Sequence, residues 1–150
     1  MKLTTKSRYG VRMLLGLAIF ADDGVISVRS ASRHLQLSTK YIESICLALK
    51  KNHFIESVRG INGGYRLAMK PEDISIYNVI TSMETYDSLA PRHVYPDLLA
   101  RVTFRELWYK VDSDIKDYLS NISIADLIEM NGGLEEIKKH NWYKSYFDIV

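Results

Sequence analysis

Cysteine is almost missing from this 150-residue chain, where Cys46 stands alone. One thiol excludes an intrachain disulfide and any metal site built from several cysteines of one chain. Histidine is sparse and scattered, at His34, His53, His93 and His140. No H-E-x-x-H pattern, phosphate-cradling loop or ordered Ser/His/Asp set accompanies it. Catalysis is therefore not expected. Long apolar runs are absent too. None approaches the ~18–20 residues that cross a bilayer, and the apolar part of the first helix follows charged residues in a spacing unlike a signal peptide. The expected location is the cytoplasm, with no membrane partner.

What is present is ordinary for a globular chain: 47% apolar and 25% charged residues, in a length that suits one or two small domains. The net charge of +2 hides an asymmetry. Residues 1–70 carry 12 Lys and Arg against 4 Asp and Glu, whereas residues 71–150 carry 8 against 14. That pattern suggests that only the first half approaches a polyanion. Chance segregation onto two solvated faces is the alternative.

The most informative stretch is Ser38–Met69. A helix is expected over about Thr39–Lys51, because Ile42, Ile45, Cys46 and Leu49 recur at i, i+3, i+4 and i+7 and form a buried stripe. Lys40, Glu43, Ser44, Leu47 and Lys51 lie toward the other face. Ahead of it, Ser27 can cap a short helix over Val28–Leu35, with Gln36-Leu37 as the turn. Two short helices joined by a tight turn make a helix-turn-helix, whose second helix offers its N-terminal residues to base edges in the major groove. Phe54–Arg59 and Tyr65–Ala68 then read as paired strands. Between them Gly60-Ile61-Asn62-Gly63-Gly64 permits the positive φ values of a tight hairpin. Arginines 59 and 66 flank this turn, and such a wing can enter a narrow minor groove. A plain surface hairpin is the blander reading.

Around this stretch, a first helix is expected over Lys6–Ala21, capped near Thr4-Thr5, with Gly10, Leu14, Leu17, Ala18 and Ala21 on one face. Asp22-Asp23-Gly24 would end it, and Val25-Ile26 could form a brief extended piece. Ser75 can cap a helix over Ile76–Glu84 that buries Val79, Ile80 and Met83. Residues 85–96 hold two prolines and no period, so they read as a linker. A longer helix follows over Asp97–Leu119, where Phe104, Trp108, Val111, Ile115 and Tyr118 form a seam of nearly 3.5-residue period suited to a partner helix. Packing on its own chain is the alternative. Ser123 and Asp126 resemble a capping box for a short helix to about Met130, stopped at Asn131-Gly132-Gly133. Trp142, Tyr143, Tyr146 and Phe147 in the tail suit packing on a partner or on the adjacent domain.

The segments Leu3–Gly10, Leu37-Ser38 with Tyr41-Ile42-Glu43 and Leu49, and Val58-Arg59-Gly60 with Gly63–Leu67 together resemble the Rrf-two family (IscR/NsrR/CymR-type) of bacterial regulators. The likeness covers most of the first seventy residues and extends more loosely to Glu106-Leu107-Trp108 and Ser123–Leu127. It implies a mainly α fold with a small β-hairpin wing: a winged helix-turn-helix domain over residues 1–84, a linker over 85–96, and a long dimerisation helix with a C-terminal segment over 97–150. It also implies a homodimer on an imperfect palindrome of double-stranded DNA, with Tyr41 and Glu43 in the major groove and Arg59 near the minor groove. Gly60, Gly63, Gly64 and Tyr65 complete that wing.

The chemistry agrees with this placement. Glu43 could accept from cytosine N4, one of the few base contacts open to a carboxylate; a surface glutamate balancing Lys40 or Lys50 is the alternative. Lys6, Arg8, Tyr9, Ser38, Thr39 and Lys40 are expected at the DNA as well. Of these Lys6, Arg8, Ser38, Thr39 and Lys40 are read as phosphate contacts that set register. The sequence departs from the family in two places. Iron–sulfur members carry three cysteines in the stretch that here reads Tyr86–Arg105, which has none, so no cofactor is expected and a cluster-free branch is implied. Where the family often has glycine, this chain has His53. Cys46, on the buried stripe, reads as a small core hydrophobe, with a redox switch as the rival. Repression by occlusion of a promoter, under a small-molecule or protein effector, is the expected mode. A winged-helix interaction module that no longer binds DNA is the other function considered.

Overall fold

The structure, a computed structural model, describes residues 4–20, 24–84, 98 and 107–139. Helix α1 spans Thr5–Phe20 and buries Ser7, Gly10, Met13, Leu14 and Leu17. Its N-terminus is capped from far away: the Thr4 backbone N–H and hydroxyl both donate to the Glu84 carboxylate. Helix α2, Val28–Leu35, starts where Ser27 accepts from the Ser30 N–H at 3.1 Å. It ends at Gln36, whose left-handed φ of 54° turns the chain toward α3, Thr39–Lys51. Ser38 caps α3 by accepting from the Tyr41 N–H at 3.2 Å. Each serine satisfies one of the orphan donors of a helix start, so the two helices begin where the sequence places these caps.

Ile42, Ile45, Cys46 and Leu49 are all buried, as the helical spacing requires. The end of α3 is a Schellman motif, with the Phe54 N–H donating to the Leu49 carbonyl at 3.1 Å and the His53 N–H to the Lys50 carbonyl at 3.0 Å. Strands β1, Ile55–Val58, and β2, Gly64–Leu67, pair antiparallel with Glu56 opposite Arg66 and Val58 opposite Gly64. Ile26 forms a bridge to Tyr65, exchanging two hydrogen bonds of 2.9 Å, and so ties the hairpin to the start of α2. After a 3₁₀ turn at Pro71–Asp73, α4 runs over Ile76–Met83 from a Ser75 cap.

The chain then returns in α5, Leu107–Ser120; of the helix expected over 97–119, residue 97 and residues 99–106 lie outside the described residues. The linker at 85–96, Phe104, Glu106, His93 and the aromatic tail from Trp142 lie outside the described residues. Helix α6, Ile124–Glu129, opens with a full capping box, Ser123 and Asp126 bonding reciprocally at 3.0 and 2.7 Å. A further helix, α7, occupies Gly133–Lys139 and was not expected; Gly132 and Gly133, at φ of 87° and 79°, break α6 and let the chain restart at once.

One hydrophobic core joins α1, α3, α4, the hairpin and the segment after α5. Ile122 and Ile124 lie in it beside Leu14, Leu17, Ile45 and Val79. The Ile76 N–H donates to the Ile122 carbonyl at 2.8 Å and the Ile124 N–H to the Ile74 carbonyl at 3.0 Å, so this segment is stitched to the start of α4 by backbone. The core therefore crosses the sequence boundary drawn at residue 84. Among the described residues, no helix is long and apolar enough to cross a membrane.

Candidate nucleic-acid interface

The caps and the buried stripe of α3 decide which side chains face outward. With Ile42, Ile45, Cys46 and Leu49 in the core, Thr39, Lys40, Glu43, Leu47 and Lys50 are exposed. Glu43 makes no ion pair among the described residues; Lys50 instead donates to the Ser57 hydroxyl at 2.9 Å. The carboxylate of Glu43 is thus not engaged by either lysine that the alternative reading assigned to it. Its field is nevertheless felt inside, where it helps to raise the pKa of both Cys46 and Tyr65.

The start of α1 abuts the start of α3. Tyr9 and Tyr41 meet edge to face with ring centroids 6.4 Å apart, and the Arg12 guanidinium lies 5.2 Å from the Tyr9 ring centre. This contact braces the Tyr41 ring while leaving it half-buried, and Lys6 and Arg8 stand on the same first turns of α1 as Tyr9, Arg8 exposed and Lys6 half-buried. Ser38 is exposed with its hydroxyl oxygen occupied by the α3 cap.

The wing departs from expectation in its reason for glycine. A positive φ occurs only at Gly60, at 123°. Gly63 and Gly64 are required by close approach instead. A Cβ on Gly63 would lie 2.6 Å from the Val58 carbonyl oxygen, and one on Gly64 2.3 Å from that of Ile26. Arg66 faces away from the expected role beside Arg59, since its guanidinium is held by Glu56 across the strands at 2.6 Å. Arg59 is exposed and makes no ion pair among the described residues. Tyr65 is half-buried against the core, its phenol raised in pKa by burial and by the nearby Cys46 and Glu43, so its ring supports the wing from beneath.

Charged residues that the sequence reading passed over also lie here. Arg12, Arg29 and Arg33 are exposed, the last two on α2, the helix that in this motif crosses the backbone. Their signal was available: in a basic half with an apolar core, arginines off the buried stripe are surface cations. His34, by contrast, is buried, bonded to the Ser30 hydroxyl at 3.1 Å, and held below its ordinary pKa by desolvation and by Arg33.

Two short helices in tandem followed by a hairpin tied to the first of them define a winged helix-turn-helix protein of the DNA-binding class. The profile of the Rrf2 family, described as "Iron-dependent Transcriptional regulator", matches residues 3–130, and the chain belongs to that family. It is 33% identical over 132 residues to Protein rrf2 of Nitratidesulfovibrio vulgaris, covering 85% of this chain and 87% of that one. It is 30% identical over 136 residues to the HTH-type transcriptional regulator CymR of Bacillus subtilis, covering 91% and 96%. The solved structure of CymR, the global cysteine regulator of B. subtilis, superposes with a TM-score of 0.74 at 29% identity, over 87% of this chain and 98% of that one. The chain is a DNA-binding transcriptional regulator, and its relatives are regulators rather than enzymes.

Among the described residues, the iron of the family description meets no set of matching donors. The single thiol, Cys46, has no solvent exposure, and burial, with Glu43 adding to it, pushes its pKa up to about 12, so it is a protonated core side chain. Cluster ligation needs several thiolates or their substitutes. Among the described residues, no three His, Cys, Asp or Glu side chains converge on a common point.

Proposed function

We propose that this regulator is a homodimeric repressor that reads an imperfect palindrome, with α3 in the major groove and the wing in the flanking minor groove. One observation carries this most strongly: Glu43 on the outer face of α3 and Arg59 at the wing are both exposed and both free of ion pairs among the described residues. An outward carboxylate in a basic half weakens non-specific attraction to phosphate, and a specific partner such as cytosine N4 gives it a purpose. Tyr41, braced by Tyr9, is the second candidate reader. Lys6, Arg8, Tyr9, Ser38, Thr39 and Lys40 set register on the sugar–phosphate backbone, and Gly60, Gly63, Gly64 and Tyr65 shape the wing that carries Arg59.

Residues 1–84 are proposed as the DNA-binding unit, 85–96 as the linker, and 97–150 as the dimerising part. Trp108, Val111 and Ile115 are half-buried within the protomer and Tyr118 is 66% exposed, so the seam on α5 is covered only in part and is open at its Tyr118 end; Phe104 would extend it. The protein acts in the cytoplasm, and its signal, carried by a small-molecule or protein effector, does not need an iron–sulfur cluster.

The test begins with duplexes selected by the protein from a random library. Glu43→Ala should relax base preference at one position per half-site, by about 1–3 kcal/mol for a lost specific contact. Arg59→Ala should weaken binding and lower the steepness of its salt dependence by about one charge. An unchanged ranking of site variants with Glu43→Ala would refute its role as reader.

A further inference from the structure

The wing carries a side chain that the charge argument does not use. Ile61 is more exposed than any other large apolar residue described, at 105% of its extended-chain reference. A single exposed aliphatic residue needs no explanation on an ordinary surface. Its position changes the case. The Gly63 N–H donates to the Gly60 carbonyl at 3.0 Å, which closes a tight turn with Ile61 and Asn62 at its centre. Such centres favour proline, glycine, asparagine and aspartate, and a β-branched aliphatic gains nothing from the turn itself.

The stem beneath this tip is stiff. Gly63 and Gly64 sit too close to the Val58 and Ile26 carbonyls to admit a Cβ without a shift. Two backbone hydrogen bonds of 2.9 Å tie Tyr65 to Ile26, and the Glu56–Arg66 pair spans the strands. The tip is therefore presented at a fixed distance from α3, with Arg59 at its base and Ile61 two residues further out. A cation followed by an apolar point suits the minor groove, whose negative potential draws in arginine and whose base steps accept apolar wedges.

We infer that Ile61 is an apolar wedge set against a minor-groove base step in each half-site, and that it gives the regulator a preference for a flexible pyrimidine–purine step beneath the wing. This rests on the wing-in-groove reading above. Asn62, beside it, is exposed and polar and could reach only the degenerate edge pattern of that groove.

The experiment uses the full chain and a duplex selected from a random library, with the wing-facing step then exchanged between TA and AA. Wild-type protein is expected to prefer TA. Ile61→Ala and Ile61→Asn should each lower affinity for the TA duplex on the order of tenfold, the scale of one buried aliphatic side chain. They should also abolish the TA preference, and leave the salt dependence and thermal midpoint unchanged. Ile61→Leu should retain both affinity and preference. Binding by Ile61→Ala within twofold of wild type, or a TA preference that survives the substitution, overturns the inference. Arg59→Ala separates the two levels. If it leaves affinity and salt dependence untouched, the wing does not engage DNA at all; if it weakens binding while Ile61→Ala does not, the wedge alone is wrong.

Discussion

His53 holds a backbone φ of +60°, the left-handed conformation that closes the Schellman motif at the end of α3. A residue with a Cβ meets a steric penalty of roughly 1–2 kcal/mol there that glycine does not. The family's preference for glycine at this position thus has a backbone cause. The residue is exposed, so its imidazole contributes no core packing to offset the strain. His53→Gly is expected to stabilise the protein by up to about 1 kcal/mol, the strain relief being partly cancelled by the greater chain entropy of glycine when unfolded. A urea titration reads the change, and a lowered midpoint would contradict it. At this scale the sequence was uneven. The buried set on α3 followed from spacing alone, and Cys46 is the core side chain that the spacing implied. Which outward residues remain unpaired was not legible, because Lys50 turns to Ser57 and Arg66 to Glu56, choices made by strand register and not by neighbours in sequence.

At the level of elements, starts were legible wherever a serine supplies its own cap, and Ser27, Ser38, Ser75 and Ser123 all do. The start of α1 also falls at the expected Thr4-Thr5, but the carboxylate that completes its cap, Glu84, lies eighty residues away and was not legible. The same contact explains that carboxyl's acidity. Desolvation pushes its pKa up, but hydrogen bonds from the Thr4 and Ser7 hydroxyls and N–H groups outweigh this and hold it below the usual range. These bonds order the turn that carries Lys6, Arg8 and Tyr9. Glu84→Ala is expected to cost about 1 kcal/mol, the scale of a lost cap, and to weaken DNA binding through loosened α1 contacts. The linkage has a definite sign. A depressed carboxyl pKa gives stability that is present above the unfolded value, about 4.3 for glutamate, and is lost as pH falls through the lower folded value. Glu84→Gln should therefore show a shallower loss of stability below that pH than wild type. Parallel acid profiles of the two proteins would mean that the contact is not formed in solution. The α7 helix escaped notice for a related reason: a double glycine reads as a stop, and a restart immediately after it leaves no spacer to signal a new element.

For the whole molecule, the protomer alone covers α5 only in part. Asp112 is buried on it and Trp108, Val111 and Ile115 are half-buried, while Leu107, Tyr109 and Tyr118 are more than half exposed. The 3.5-residue spacing of Trp108, Val111, Ile115 and Tyr118 is that of helices that pair along a seam. In the proposed dimer these faces are buried and the distance between two copies of α3 is fixed, as a palindromic site requires. Because Tyr118 contributes little to the protomer core, Tyr118→Glu should leave the fold intact while placing two like charges near each other across the seam. The expected result is a shift toward monomer in sedimentation at micromolar concentration, with the far-ultraviolet circular dichroism unchanged. Affinity for a full palindrome should fall by about 10²-fold or more, as loss of bivalent binding implies, whereas affinity for a single half-site should hardly change. That contrast separates spacing from reading: a substitution in α3 or the wing lowers both affinities together, and one in the seam lowers only the first. If Tyr118→Glu stays dimeric and keeps its preference for the palindrome, the two reading heads are spaced by some other surface.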